Sequence, residues 1–464
     1  MKRRAFDCVN RLTLPADPSV TPHMRLIAAS AFFVLASSLA SQSTPRRAEP
    51  VALVGVNVIP MDSARVLTDQ TVLVRDGKIS AIGPRGRVST SGARTFELRG
   101  YYLLPGLADL HTHPQVAGDL TQYMASGVTT ILSLGSFVDE QLLRWRDSTR
   151  RGERIGPDIY VGYYVDGPGG PAGRTIVSAE DGRNAARNAK TGGFDFIKAY
   201  NSIPEAAFIG LVEEARAQGI AVTGHGVRSV GLQRGFALGQ VLVAHGEEFM
   251  YTHFNRLDDS VKFGEVAAWT KRSGAYVLPN LSAYVGIARQ WGKPPVVDTL
   301  LSLPDARYLD PIWRQRWRGR DYVTRQGSLD PRVRFLKRFM KVLSDSGVPL
   351  LAGTDSPTIP GLFPGFSIVD DIALLVDAGL TPYQALATAT RVPGEFFAKF
   401  GHASDRVGTI AVGNRADLIV VRSNPLEDVR RLRNPTGVML RGHWISRVEL
   451  DERMSALAGA NARQ

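Results

Sequence analysis

Between residues 106 and 395 the chain alternates short apolar segments with longer stretches of helical pattern, and this alternation limits the fold more than any other feature of the 464 residues. Strand-like runs are read at Leu107–His113, Thr129–Leu134, Asp158–Val165, Asp195–Tyr200, Ile220–His225, Gln240–His245, Tyr276–Leu281 and Pro349–Asp355. Helical stretches such as Pro204–Gln218 and Val333–Asp345 follow most of them. Parallel strands need long crossovers, and a helix after each strand supplies one. Eight such units predict an α/β fold, a (β/α)8 TIM barrel over 106–395. The stretch from Val285 to Leu329 fits neither pattern. It carries Trp291, Trp313 and Trp317 after the seventh strand and is expected to form a lid over the barrel mouth.

The flanks read differently. Residues 50–105 hold short strands, with Val72–Arg75 and Lys78–Ile82 flanking Asp76-Gly77, a strong two-residue hairpin signal. Residues 405–450 repeat the style. Thr409–Val412 and Asp417–Val421 flank Gly413-Asn414, and Val438–Leu440 and Trp444–Ser446 flank Arg441-Gly442-His443. The two flanks are expected to complete one small β-sandwich, with the barrel inserted between its halves.

Hydrophobic content of 44% and charged content of 22% are those of a folded globular chain. The net charge of +12 comes from Lys and Arg interspersed with acids, without a basic stripe or nucleic-acid motif, so nucleic-acid binding is not expected. The single cysteine, Cys8, excludes a disulfide framework or cysteine-rich zinc module, so any metal must be held by His, Asp, Glu or Lys. Residues 1–40 read as an export signal: Met24-Arg25, the apolar run Leu26–Leu35, then Ser38-Leu39-Ala40 as a cleavage site. Met24 is an alternative start, and a retained membrane anchor is the competing reading. Ser41, rather than Cys, follows the cut, against a lipid anchor. Removing five bases and two acids with the signal leaves a mature charge of +9, and no further long apolar run follows. A periplasmic or secreted protein without a membrane span is expected, with a homo-oligomer left open.

Six residues fall near the C-terminal ends of the expected strands, where barrel enzymes build their sites. His111 and His113 end the first strand and, at i and i+2, point to the same side of it. Lys198 ends the fourth, His225 the fifth, His245 the sixth and Asp355 the eighth. Each alone has an ordinary reading: an ion-paired lysine, core histidines, a helix N-cap aspartate. Together they outline a metal site. Tyr200 and Arg228 lie beside ligand positions and are candidates for a substrate carboxylate; His253, with Tyr251, is a further candidate for substrate contact.

The run Leu104-Pro105-Gly106-Leu107-Ala108-Asp109-Leu110-His111-Thr112-His113 resembles the entry motif of the amidohydrolase superfamily, and Ala352-Gly353-Thr354-Asp355 resembles its last metal motif. Thr381–Leu386, Gly408–Ile410 and Ala416–Val420 are similar to its closing segment. The resemblance implies that His111, His113 and Asp355 bind one divalent cation and His225 and His245 a second, with Lys198 as a carboxylated bridge. It implies Zn²⁺ as the metal, a hydroxide between the cations, and Asp355 as general base. The deaminase branch carries a glutamate shortly after the fifth-strand histidine; here Gly226-Val227-Arg228-Ser229 follows His225. That departure, with Lys198, points to amide hydrolysis in an imidazolonepropionase-like and Xaa-Pro dipeptidase-like branch. The expected function is hydrolysis of C–N amide bonds in small peptides or N-acyl amino acids. The alternatives are a mononuclear hydrolase of cyclic amides or lactones, and a non-catalytic binding protein on a barrel scaffold.

Overall fold

The computed structural model describes residues 49–463 apart from Asn255 and Ser404. Cys8 and the export signal expected over residues 1–40 lie outside the described residues. Among the described residues no helix is long and apolar enough to cross a membrane.

Five strands open the described chain: β1 Val51–Val58, β2 Leu67–Arg75, β3 Lys78–Pro84, β4 Arg94–Glu97 and β5 Tyr102–Pro105. The expected hairpin joins β2 to β3 with Arg75 opposite Lys78. Asp76 and Gly77 both adopt left-handed backbone, φ 51° and 76°, as a two-residue turn between right-twisted strands requires. The barrel strands follow: β6 Leu107–Thr112, β7 Val128–Ser133, β8 Asp158–Val165, β9 Phe196–Ala199, β10 Ala221–Gly224, β11 Gln240–Ala244 and β12 Tyr276–Leu278. Then come β13 Leu418–Val421, β14 Gly437–Leu440 and β15 His443–Ser446.

Strands from both flanks form one eight-stranded sheet in the order β15-β14-β13-β5-β1-β2-β3, with β4 also on β1. The join is β5 against β13, antiparallel, with Leu103 opposite Val420. Thr409–Val412 is not a strand. Ile410 N–H donates to the Pro60 carbonyl and Gly413 N–H to the Ile79 carbonyl, so these groups are spent on loop contacts rather than on a ladder.

The barrel strands are parallel and neighbour one another in chain order from β6 to β12. Most are buried along their length, as strands covered on both faces must be. Helices pack outside them, including Ala117–Ala125, Asp139–Arg150, Ala179–Thr191 and Glu205–Ala217. The helix Ala179–Thr191 starts at a capping box in which Asp181 N–H donates to Ser178 Oγ and Ser178 N–H to Asp181 Oδ2.

The eighth expected strand, Pro349–Asp355, is extended without being a regular strand. Leu351 N–H donates to the Val277 carbonyl of β12, and Leu110 and His113 N–H on the other side donate to the Ala352 and Ser356 carbonyls. The segment thus closes the ring between β12 and β6. Its ladder is interrupted because Gly353 and Thr354 N–H donate to the carboxylates of Asp371 and Asp109 instead. Asp355 then turns into the left-handed region at φ 63°. The seventh strand also stops early, at Leu278, because Asn280 adopts φ 46° and a helix starts at Leu281. The segment 285–329 is mostly helical, with helices Leu281–Gln290, Val296–Leu301 and Pro311–Arg318.

Candidate metal centre

Side chains at the strand ends converge on the floor of a cleft of about 740 Å³ whose lining includes His111, His113, Lys198, His225, His245 and Asp355. Asp355 is the hub. Its Oδ1 lies 2.9 Å from His113 Nε2 and 3.8 Å from His111 Nε2, and its Oδ2 lies 4.0 Å from His245 Nε2. Lys198 Nζ is 3.3 Å from His111 Nε2. His225 joins through its ring, 4.8 Å from that of His245, with the Tyr200 ring tilted against it at 3.9 Å. One donor atom each from His111, His245 and Asp355 lies within 4.8 Å of the others.

Three of the imidazoles are held in one tautomer. His113 Nδ1 lies 2.5 Å from the Gly135 carbonyl, an acceptor only, so Nδ1 carries the proton. His111 Nδ1 donates to Asn280 Oδ1 at 3.2 Å. Which end of that amide is the oxygen is set by its other contacts: Oδ1 also accepts from His245 N–H at 3.1 Å, while Nδ2 donates to the Gly353 carbonyl at 2.6 Å. His225 Nδ1 lies 2.6 Å from Glu248 Oε1. Each ring therefore keeps a lone pair on Nε2, the arrangement metal-binding histidines share. His245 Nδ1 is buried without a hydrogen-bond partner and sits 3.7 Å from Glu247 Oε1.

Burial sets the electrostatics. Desolvation pushes the His245 imidazole down to about 3, with His225 adding to it. It drives His111 and His225 well below the usual histidine value, with the Lys198 charge assisting. Burial alone would raise Asp355, but His111 and His113 beside it hold it well below the usual carboxylate range. Burial lowers the Lys198 amine to about 8 against the upward pull of Asp355 and Glu248. The cluster thus gathers neutral imidazoles, one carboxylate and an amine that gives up its proton easily. Donors of this kind, crowded without a cation of their own, fit divalent metal. Non-glycine residues in the left-handed region gather here as well, at His245 with φ 71°, Asn280 and Asp355; such strain costs ~1–3 kcal/mol per residue and persists where the surroundings enforce it.

The remaining candidates divide. Tyr200 and Tyr251 line the cleft. Arg228 is exposed and His253 packs its ring on Phe254 and Trp269, and neither is among the cleft-lining residues. Reading the strand ends missed Asn280, which looks like an ordinary loop asparagine in sequence, and Glu248, although the tandem Glu247-Glu248 directly after His245-Gly246 was a visible signal. It also missed Tyr164, Tyr322, Arg316 and Arg320 as cleft residues.

The segment after β12 roofs the cleft. Trp313 and Trp317 are buried; Trp313 Nε1 donates to Asp119 Oδ2 and Trp317 Nε1 to the Pro357 carbonyl at 2.7 Å. Arg320 donates twice to the Thr358 carbonyl. Thr358 Oγ1 in turn shares its one proton between the Asp355 carbonyl at 2.7 Å and Asp355 Oδ1 at 3.0 Å. The roof is therefore bonded to the loop that carries Asp355.

Residues 102–445 match the model of the amidohydrolase family. The chain belongs to the amidohydrolase family. Solved amidohydrolase structures share its fold. A bottromycin amidohydrolase superposes with a TM-score of 0.72 at 23% identity, covering 90% of this chain and 92% of that one. A Xaa-Pro dipeptidase with methionine in its active site superposes with a TM-score of 0.64 at 20% identity, covering 86% of this chain and 100% of that one. An adenine deaminase of Chelativorans sp. (strain BNC1) is 37% identical over 68 residues, a match that spans 14% of this amidohydrolase and 11% of that protein.

Proposed function

We propose that the chain is a binuclear metal-dependent hydrolase of C–N amide bonds in small peptides or N-acyl amino acids. His111, His113 and Asp355 would hold one divalent cation and His225 and His245 another, with a carboxylated Lys198 between them. The observation that carries this reading is the meeting of His111, His245 and Asp355 donor atoms within 4.8 Å, with His113, His225 and Lys198 adjoining them and His111, His113 and His225 backed by hydrogen-bond partners. The donor set suits Zn²⁺. Bound there, the cations would polarise the scissile carbonyl and make water acidic enough to attack near neutral pH.

The chain's own groups then have separate tasks. Asp355 takes the proton of the attacking water and returns it to the leaving amine. The Thr358 hydroxyl, shared with the Asp355 backbone carbonyl, lies 3.0 Å from its Oδ1. Lys198, with its amine lowered to about 8, supplies a fraction of neutral amine at physiological pH. That amine adds to carbon dioxide, forming an N–C bond and releasing a proton, and becomes a carboxylate. The run Gly226-Val227-Arg228-Ser229 after His225, without the acid that the deaminase branch carries shortly after that histidine, favours amide hydrolysis over deamination.

Elemental analysis of the purified chain, with a turnover panel of dipeptides, N-acyl amino acids, cyclic amides, lactones and esters, tests the reading. Two metals per chain and turnover of linear amides are expected. One metal with turnover only of cyclic substrates would replace it by the mononuclear alternative, and bound metal with no turnover by the binding-protein alternative. The reading includes export with cleavage after Ala40, and a mature intact mass starting at Met1 or Met24 would overturn that part.

A further inference from the structure

We propose that Arg316, in the roof of the cleft, recognises the free carboxylate at the leaving-group end of the substrate; this rests on the amide-hydrolase reading above. The helix Pro311–Arg318 brings Trp313 and Arg316 to the cleft at the i, i+3 spacing that shares one helical face, and Arg320, in extended backbone after the Gly319 cap, lines it as well. The arginines of this segment differ in what they already hold. Arg314 donates to the carbonyls of Leu309 and Ala306, Arg318 pairs with Asp298, and Arg320 donates to the Thr358 carbonyl. The Arg316 guanidinium makes no hydrogen bond or ion pair among the described residues. Aromatic rings hold it instead: its Cζ lies 4.9 Å from the ring centre of Trp313 and 5.5 Å from that of Phe137, on the loop after β7. Stacking on rings occupies the faces of a guanidinium and leaves its N–H edge free. That edge is a planar fork of donors whose geometry matches a carboxylate.

The charge distribution of the cleft agrees. The Asp355 carboxylate lies on its floor, while Arg316 and Arg320 line it from the roof. Arg320 is committed to the loop, so Arg316 is the guanidinium left to pair with an incoming anion. A substrate with its scissile carbonyl at Asp355 and an anion on the departing amine lies along this gradient. Arg228 is exposed and not among the cleft-lining residues, but its charge reaches His225 and Glu248, which makes it the competing candidate for this contact.

The test compares N-acetyl-L-alanine with N-acetyl-L-alaninamide on the metal-loaded protein, by calorimetric binding and by turnover, for wild type, Arg316→Met, Arg228→Met and Arg318→Met. Methionine keeps an apolar stem between the rings while removing the donors. Wild type should prefer the acid, on the order of 10-fold for a half-buried carboxylate–guanidinium pair. Arg316→Met should erase the preference with metal content unchanged, and Arg228→Met and Arg318→Met should keep it. No preference in wild type, an undiminished preference in Arg316→Met, or an equal loss in Arg228→Met would each overturn the proposal. Failure of the hydrolase reading looks different: an Arg316-dependent binding preference with no turnover of either compound supports the carboxylate site and removes the activity.

Discussion

Asn280 is the residue whose replacement reveals most about how the centre is held. It is fully buried and makes three hydrogen bonds: it accepts from His111 Nδ1 and His245 N–H, and donates to the Gly353 carbonyl. Asn280→Ala leaves two donors and one acceptor unsatisfied in a space too enclosed for easy repair. Each such loss costs about 1–3 kcal/mol, giving roughly 3–9 kcal/mol together. Alanine at φ 46° adds ~1 kcal/mol of backbone strain, which asparagine tolerates better and glycine avoids. Against a typical folding stability of about 5–15 kcal/mol this is a large fraction. Asn280→Gly should recover roughly the 1 kcal/mol backbone part and no more. Freed to rotate and change tautomer, His111 should also bind metal about 10–100-fold more weakly in both variants. Urea unfolding with elemental analysis after dialysis at graded metal concentration reads both effects. An Asn280→Gly protein within about 1 kcal/mol of wild type that retains full metal would refute the argument that this side chain orients the centre.

Lys198→Ala should lose both activity and metal, the second site most, and added formate or acetate should restore part of the rate by filling the vacant position; two retained metals and a normal rate would remove the bridge. Asp355→Asn should keep more metal than Lys198→Ala but lose turnover on the order of 10²-fold or more, as expected for a lost general base; a full rate would reassign the base. Asp119, behind the roof, has its carboxyl pushed up to about 6 by burial, partly offset by bonds from Gln115, Val116 and Trp313. A raised acid favours the folded state in its protonated form, so that contribution is present below about pH 4 and disappears as pH rises through 6. Relative to wild type, Asp119→Asn should therefore gain stability between pH 4 and 7 and stay level above; parallel urea-unfolding curves across that range would contradict it.

The parts of this molecule that could be read from sequence are those governed by local pattern. Alternation of apolar runs and helical stretches located β6 to β11 within a residue or two, because buried parallel strands must be continuously apolar. The side chains that line the cleft floor could be named because each stands at or next to the end of a barrel strand or of the extended closing segment, where chain order sets their height in the barrel. The closing segment misled because Gly353 and Thr354 bond to Asp109 and Asp371, partners remote in sequence. Asn280 was invisible for the same reason: its role exists only once three separate segments meet around its amide. Arg228 stands near His225 in sequence and is exposed, yet its charge still acts on His225 and Glu248.

The sheet that joins the two flanks bears on the order in which the molecule is made. β5 pairs with β13 along Tyr102–Pro105, and β13 leads on to β14 and β15. During synthesis the first five strands emerge long before these partners, so β5 waits with an open edge while the whole barrel is translated. An apolar strand with a free edge is a template for pairing with the wrong chain. Such non-local pairing is also slow to form. The last strands therefore act as the clasp of the fold: until they arrive, β5 lacks its partner and the nascent chain is at its most prone to self-association.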